Sequence, residues 1–321
     1  MSELACKVCG NTENNRTYVA KEMMFGLKDE FQYIECSKCK CLQIKDVPAN
    51  LAKYYPEDYY SYFSKGEDHH IQQGFSKTLK RNLKKGLLNQ YLRGKSPIGK
   101  MLAPKFKGYY PWIKQDMLTT NSRILDVGCG SGELLLKMYN DGFRDLTGLD
   151  PFIKDDIHYK CGITIHKKTL DQLTEKYDLI MMHHAFEHMD EPLNIIKDIR
   201  RLLNPGGIAL IRIPVGDSYA WHKYGVDWVQ LDAPRHIFLH TEKSMQILAG
   251  QAGLTLSDVM YDSWELQFYG SELYKKDIPL RADKEKEIFS QKEMEGFLAE
   301  AHKLNAKKQG DQACFYLTKA S

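Results

Sequence analysis

The chain has 321 residues, 43% hydrophobic and 27% charged, with a formal net charge of +3. That is ordinary globular composition, and at roughly 100–200 residues per domain it predicts two units. No apolar run approaches the ~18 residues that cross a bilayer, which excludes a protein embedded in the membrane by helices. The N-terminus, Met1-Ser2-Glu3-Leu4-Ala5-Cys6, lacks the basic and apolar regions of a signal peptide, so the expected location is the cytoplasm. In that reducing setting eight cysteines do not read as a disulfide framework.

Five of those cysteines fall in the first 41 residues. Cys6-x-x-Cys9 and Cys36-x-x-Cys39 are two knuckle-like pairs separated by 26 residues, with Gly10 just after the first and Cys41 after the second. Four thiolates in two such pairs close a tetrahedral zinc site, so Cys6, Cys9, Cys36 and Cys39 are the predicted metal ligands. Between the pairs, Phe31-Gln32-Tyr33-Ile34-Glu35 alternates as a strand does. So small a unit buries little core, and zinc would supply most of its folding free energy. Tyr54, Tyr55, Tyr59, Tyr60 and Tyr62 follow, suited to a domain seam or to stacking on sugars or bases.

Lys65 to Lys114 holds twelve Lys/Arg and two acids, Glu67 and Asp68. Lys77, Lys80, Arg81, Lys84 and Lys85 lie at helical spacing opposite Leu79, Leu83, Leu87 and Leu88, the pattern of an amphipathic basic helix. A solvated face, a phosphate site for a nucleotide-linked or lipid-linked substrate, and an RNA surface all fit it. His69 and His70 sit in a polar stretch and read as surface residues.

From Arg123 the pattern changes. Ile124-Leu125-Asp126-Val127 is a buried strand, Gly128-Cys129-Gly130-Ser131-Gly132 a glycine turn and Glu133-Leu134-Leu135-Leu136 the start of a helix. This succession marks a ligand crevice at the carboxyl end of a parallel sheet. Its G-x-G-x-G spacing is not that of the dinucleotide binders, and a P-loop lysine is missing. The second strand, Leu146-Thr147-Gly148-Leu149, ends in Asp150, a carboxylate suited to a ribose diol. Strands follow at Ile163–Ile165, Tyr177–Met182 and Ile208–Ile213. A helix at about 192–203 ends in the stop and turn Asn204-Pro205-Gly206-Gly207.

These motifs, in this order, resemble those of class I S-adenosylmethionine-dependent methyltransferases, over about 123–260 with a last strand at Ala313–Thr318. The implied fold is α/β, a Rossmann-like seven-stranded methyltransferase sheet with a small N-terminal zinc-ribbon domain. The chain then divides into a zinc ribbon with its Tyr-rich linker (1–61), a basic helical connector (62–120) and the methyltransferase domain (121–321), with an insertion at about 264–310. By resemblance, Asp126, Gly128, Gly130 and Gly132 line the methionine and ribose portions of the cofactor and Asp150 holds the ribose hydroxyls. Leu170, beside Thr169 and Asp171, meets the adenine, and His183 closes the cofactor set.

After the fourth strand comes His183-His184-Ala185-Phe186-Glu187-His188-Met189. Methyl transfer needs in-line alignment, and an alcohol acceptor also needs a base or a metal to take its proton. Downstream, Asp232-Ala233-Pro234-Arg235-His236-Ile237-Phe238-Leu239-His240 precedes a helix capped by Thr241. In zinc-containing sugar C-methyltransferases a histidine just before this helix acts as base, and His236 holds the matching place. Small-RNA 2′-O-methyltransferases bind a divalent metal through Glu-x-x-Glu-His and a later histidine. The match here is His184-x-x-Glu187-His188 plus His236. With His184 in place of a glutamate, a second divalent metal at these four residues would be a softer ion. The same Glu-His also occurs without metal, where Glu187 simply favours a helix N-terminus. The candidate catalytic residues are thus His236, His188, Glu187 and His184. Arg235 either pairs with a substrate phosphate or braces its loop, and Tyr219, Trp221, Tyr224 and Trp228 form either a stacking wall or core.

A cysteine ribbon, a Tyr-rich linker and this core together resemble bacterial enzymes that modify deoxysugars and surface polysaccharides. The expected function is S-adenosylmethionine-dependent methylation of a carbohydrate, at a hydroxyl of a nucleotide-linked or lipid-linked sugar. The alternatives are a 2′-O RNA methyltransferase, favoured by the basic connector, and a non-catalytic cofactor-binding scaffold. No Asn-Pro-Pro-Tyr motif follows the fourth strand, which argues against base N-methylation.

Overall fold

Alternation in Phe31–Glu35 does produce a strand, and Tyr33 and Ile34 on it are buried. The structure, a computed structural model, describes residues 5–56, 85–93, 97, 101 and 110–319. Tyr59, Tyr60, Tyr62, His69, His70 and most of the basic connector, Lys77, Lys80, Arg81 and Lys84 included, lie outside the described residues. Residues 85–92 of that connector are helical.

Arg16–Lys21 (β1), Glu30–Glu35 (β2) and Leu42–Ile44 (β3) form an antiparallel ribbon. A larger sheet is built from Arg123–Val127 (β4), Asp145–Leu149 (β5), Ile157–His158 (β6), Thr164–His166 (β7), Tyr177–His183 (β8) and Leu203–Pro214 (β9). Leu254–Tyr261 (β11) and Gln312–Lys319 (β12) complete it, in the order β11-β12-β9-β8-β4-β5-β7-β6. Six of these are the strands placed in the sequence, and β11 makes the seventh of the expected sheet. The eighth, β6, is a two-residue edge that pairs antiparallel with β7. Phe238–Leu239 (β10) leaves the large sheet's chain and pairs with β3, as the fourth strand of the ribbon.

Two compact units are interleaved along the chain. Among the described residues, one comprises 5–56, 184–196 and 211–316; the other comprises 85–93, 97, 101, 110–183, 197–210 and 317–319. In the second unit, β4 pairs in parallel with β5 and β8. Ile124, Leu125, Leu179, Ile180 and Met181 are fully buried there. Burial of consecutive residues means both faces are covered, which is why these strands read as unbroken apolar runs. Helix Glu133–Asp141 (α1) buries Leu135, Leu136 and Met138 and stops at Gly142 in the left-handed region. Helix Pro192–Leu202 (α2) also stops where expected. The predicted turn at 204–207 is instead part of β9: Asn204 donates to Asp178 Oδ1 at 2.7 Å, and Gly206, at φ 75°, takes the bend within the strand.

In the first unit, helix Tyr219–Tyr224 (α3) is followed by Glu242–Gln251 (α4), whose cap, Thr241, accepts from Ser244 N and donates to Cys39 O. Leu266–Lys275 (α5), Glu285–Ile288 (α6) and Gln291–Ala306 (α7) make up the stretch between β11 and β12. Of the aromatic group, Trp221, Tyr224 and Trp228 are core; Trp228 is fully buried and donates to Asp311 Oδ2 at 2.9 Å, while Tyr219 is exposed.

Arg235 is also core. Its guanidinium bonds both oxygens of Asp232, Glu22 Oε1 at 2.8 Å and Tyr54 O at 3.1 Å, with no exposed surface. Glu22 in turn accepts from Phe25 N and Leu27 N. Arg235 therefore braces its loop. Arg235→Ala would strand two buried carboxylates and should cost about 3–5 kcal/mol, read as a lowered urea midpoint; Arg235→Lys should recover only part of it, since an ammonium cannot span the same fork.

Candidate active site

The glycine turn after β4 is held open by backbone geometry. Gly128, Gly130 and Gly132 have φ of 73°, 55° and 83°, which few residues other than glycine adopt at low cost. A Cβ on Gly132 would also lie 2.5 Å from Ile165 Cδ1, and one on Gly148 of β5 2.4 Å from the same atom. Asp150 accepts from Gly130 N and Phe152 N, each at 2.9 Å, so the carboxylate after β5 fixes the loop after β4. Asp126 is buried beneath that loop, and burial, reinforced by the charge of Asp150, pushes its pKa up to about 8. Leu170 is buried in a 3-10 turn, Leu170–Gln172, shortly after β7. His183 ends β8 with its ring centroid 4.6 Å from that of Trp112. A glycine turn of this conformation, with the carboxyl groups of Asp126 and Asp150 beside it, suits an adenosyl ligand carrying an amino-acid tail. A shallow cleft lined by Leu92, Asp116, Thr119 and Asp178 lies at the opposite, amino ends of β4 and β8.

At His184 the chain passes into the other unit, and that residue takes the left-handed region at φ 51°. A non-glycine residue there costs roughly 1–2 kcal/mol. The next turn, Phe186–His188, carries Glu187, fully buried. Two bonds tie this turn to the loop of His236: Ile237 N donates to Glu187 O, and His188 Nδ1 donates to Arg235 O, both at 2.8 Å. His236 Nδ1 donates to Gln230 O at 2.7 Å, and Tyr33 OH of β2 donates to His236 O at 2.8 Å. A carbonyl only accepts, so both imidazoles carry their proton on Nδ1 and keep a lone pair on Nε2.

His236 Nε2 lies 4.0 Å from Glu187 Oε1 and 3.8 Å from Asp232 Oδ2. His184 is held differently. Arg212 Nη1 donates to its Nε2 at 3.1 Å, which leaves the proton on Nδ1, 3.4 Å from Glu187 Oε1. Arg212 is itself bonded to Asp262 Oδ2 at 2.6 Å. Neither oxygen of Glu187 accepts a well-formed hydrogen bond among the described residues. Burial opposes its charge, yet His184, His188 and His236 together hold its pKa at about 2. Burial drops His236 to about 4, so its imidazole is neutral at pH 7.

The four predicted zinc ligands converge in the same unit. Cys6 and Cys39 sulfurs are 3.6 Å apart, Cys9 and Cys36 sulfurs 3.5 Å, and all four lie within 4.8 Å of one another. Tetrahedral zinc with bonds of ~2.3 Å sets its sulfurs ~3.8 Å apart, so the set fits. Cys39 lowers the pKa of Cys6 to about 5, easing loss of the first proton. Cys41 is buried 3.8 Å from His240 Nδ1 and is not one of the four.

Five supporting residues escape sequence reasoning: Trp112, Arg212, Asp262, Gln230 and Tyr33. Arg212 left one signal, a lone charge in the apolar run Ile208–Ile213. Gln230 acts through its carbonyl, which no residue type reveals. Of the tyrosine cluster, Tyr54 OH donates to Asp29 Oδ2, and Tyr55 OH lies 3.3 Å from His188 Nδ1.

The sequence profile of the methyltransferase domain family matches residues 69–259, and the chain belongs to this family, with the fold of the S-adenosylmethionine-dependent class. Among curated relatives, a tRNA U34 carboxymethyltransferase of Nautilia profundicola is 29% identical over 33% of this chain and 40% of that protein. A ubiquinone biosynthesis O-methyltransferase of Pseudomonas fluorescens (strain SBW25) is 25% identical over 46% and 71%. The chain thus spans less than half the length of the first of these. Among solved structures, a SAM-dependent methyltransferase from Archaeoglobus fulgidus is 19% identical, covering 68% of this chain and 94% of that one at a TM-score of 0.41. Mycolic acid cyclopropane synthase CmaA1 is 18% identical over 71% and 87%, at 0.43. Among the described residues no helix is long and apolar enough to cross a membrane.

Two outcomes are expected. If Asp126 meets the cationic end of the cofactor, binding must ionise it. Affinity for S-adenosylmethionine should then rise with pH up to about 8 and level off above, with proton release seen by calorimetry in buffers of differing ionisation enthalpy. Cys36→Ser should release the metal of the four-cysteine site, measured by plasma mass spectrometry, and destabilise the ribbon strands to hydrogen exchange.

Proposed function

We propose that the protein transfers a methyl group from S-adenosylmethionine to a hydroxyl of a carbohydrate, carried on a nucleotide or a lipid. The observation that supports an alcohol acceptor is the locked tautomer of His236, whose bare Nε2 lies 4.0 Å from the buried carboxylate of Glu187. A hydroxyl must lose its proton as it attacks, and a neutral imidazole of fixed orientation is suited to take it. When bound, S-adenosylmethionine supplies an electrophilic methyl on a positively charged sulfur.

The roles of the residues follow from their geometry. His236 accepts the proton at Nε2, Gln230 O keeps the other proton on Nδ1, and the negative charge of Glu187 offsets the imidazolium so formed. His188 and His184 line the acceptor's side of that carboxylate. Asp126, Gly128, Gly130, Gly132, Asp150, Leu170 and His183 hold the cofactor. A polyhydroxylated acceptor suits so polar a cluster.

The test is label transfer from methyl-tritiated S-adenosylmethionine into an extract separated into RNA, sugar-nucleotide and lipid-glycan fractions. Label should travel with a sugar fraction and survive ribonuclease, and His236→Ala should reduce it by at least 10²-fold. The acid limb of kcat/KM should lie near the depressed pKa of His236, about 4, well below that of a free imidazole. Label released by ribonuclease would overturn the carbohydrate reading in favour of RNA.

A further inference from the structure

Arg212 stands alone as a charge in the apolar run Ile208–Ile213 of β9. Its carbonyl accepts from His184 N at 2.9 Å, and its Nη1 donates to His184 Nε2 at 3.1 Å, so backbone and ring of His184 both rest on this one residue. The guanidinium is fixed at a second point, where Nε donates to Asp262 Oδ2 at 2.6 Å. Asp262 is itself held: its Oδ1 accepts from Gln312 Nε2 at 3.0 Å, and its N donates to Gln312 O at 3.1 Å. An arginine side chain carries about 2 kcal/mol of rotamer entropy, and the pair with Asp262 selects one placement of it.

A neutral imidazole has one N–H, and the tautomer decides which neighbour receives it. A guanidinium has donors only, so at Nε2 of His184 it requires a lone pair. The proton is thereby left on Nδ1, 3.4 Å from Glu187 Oε1. In the other tautomer an N–H would meet an N–H at Arg212, and a lone pair would meet the carboxylate of Glu187, which is fully buried. Both contacts would be unfavourable.

We infer that Asp262 and Arg212 are positioning residues: through the fixed tautomer of His184 they hold an N–H against Glu187, and so keep that buried group a carboxylate beside His236. The contacts run unbroken within one unit, from Asp262 through Arg212, His184 and Glu187 to His236 Nε2, 4.0 Å from Glu187 Oε1. Burial pushes the Glu187 carboxyl up, and the N–H of His184 is the largest of the effects that bring it down, ahead of His188 and His236. Two further groups face His236: Asp232, at 3.8 Å and already paired with Arg235, and His188, with ring centroids 4.9 Å apart. Neither touches the line from Asp262 to Glu187. What this line contributes to methyl transfer rests on the role of His236 proposed above; the tautomer of His184 does not.

Two measurements on the intact chain test the inference. Long-range nitrogen–proton NMR of protein labelled at histidine reads the tautomer of each ring, with His184 assigned by its loss in His184→Asn, a residue that tolerates positive φ. His184 should carry its proton on Nδ1 in the wild type. Arg212→Met, which keeps the length of the side chain and removes its donors, should shift that proton toward Nε2. Label transfer from methyl-tritiated S-adenosylmethionine into the extract should then fall about 10-fold or more in Arg212→Met, and its acid limb should move to higher pH by roughly one unit. The sign follows because a buried carboxylate that has lost a donor takes up a proton more readily. Arg212→Lys, able to donate to His184 or to Asp262 but not to both, should recover part of the rate. Affinity for S-adenosylmethionine and circular dichroism should be unchanged in both variants. A proton on Nε2 of His184 in the wild type, or a tautomer and acid limb that Arg212→Met leaves as they were, would overturn the inference. The tautomer is read without any acceptor. Its expected shift together with label in RNA would keep the positioning role and sink the carbohydrate reading, and label in a glycan with no shift would do the reverse.

Discussion

The hydrogen bond from Ile237 N to Glu187 O is the constraint on which the candidate site depends. It brings a loop that precedes α4 against the turn that follows β8. The bond from His188 to Arg235 O then fixes which imidazole nitrogen remains bare. Neither segment is regular structure, so nothing within either alone would hold it. The support comes from beneath: Tyr33 OH on His236 O, β10 paired to β3, and Arg235 locked between Asp232 and Glu22.

This gives the cysteine ribbon a purpose beyond its own folding. β1, β2 and β3 are too small a sheet to be stable alone, and a metal held by the four cysteines would compensate for the missing core. Once folded, the ribbon takes β10 as its fourth strand and supplies Tyr33 and Glu22 to the loop of His236. The four-cysteine cluster and the loop of His236 therefore belong to one unit.

The cofactor side follows different physics. There the backbone does most of the work: positive-φ glycines and a carboxylate that accepts two amide bonds shape the cradle. Such a site depends on chain direction at the carboxyl end of parallel strands. The histidine side depends on side-chain protonation states, set by carbonyls that belong to residues of any type.

That difference separates what was legible in the sequence from what was not. The runs Ile124–Val127 and Tyr177–Met182, the glycine turn, the cap at Thr241 and the paired cysteines were legible because each is a local rule. Burial on both faces, positive φ, an orphan amide and a two-residue knuckle each leave a mark within a few positions. By itself the sequence determined the family, six strands of the large sheet, the glycine turn and the pairing of the four cysteines. The turn at 204–207 was misread because the pairing of β9 reaches back past Gly206. Only the tertiary structure decided that Trp221, Tyr224, Trp228 and Arg235 are core, that the ribbon's last strand comes from Phe238–Leu239, and that His184 stands apart from His188 and His236. The physical reason is that a proton's place on an imidazole is set by its partner, and those partners are Arg235 O, Gln230 O and Arg212. They lie up to 47 residues from the histidines they fix, at positions where spacing carries no signal.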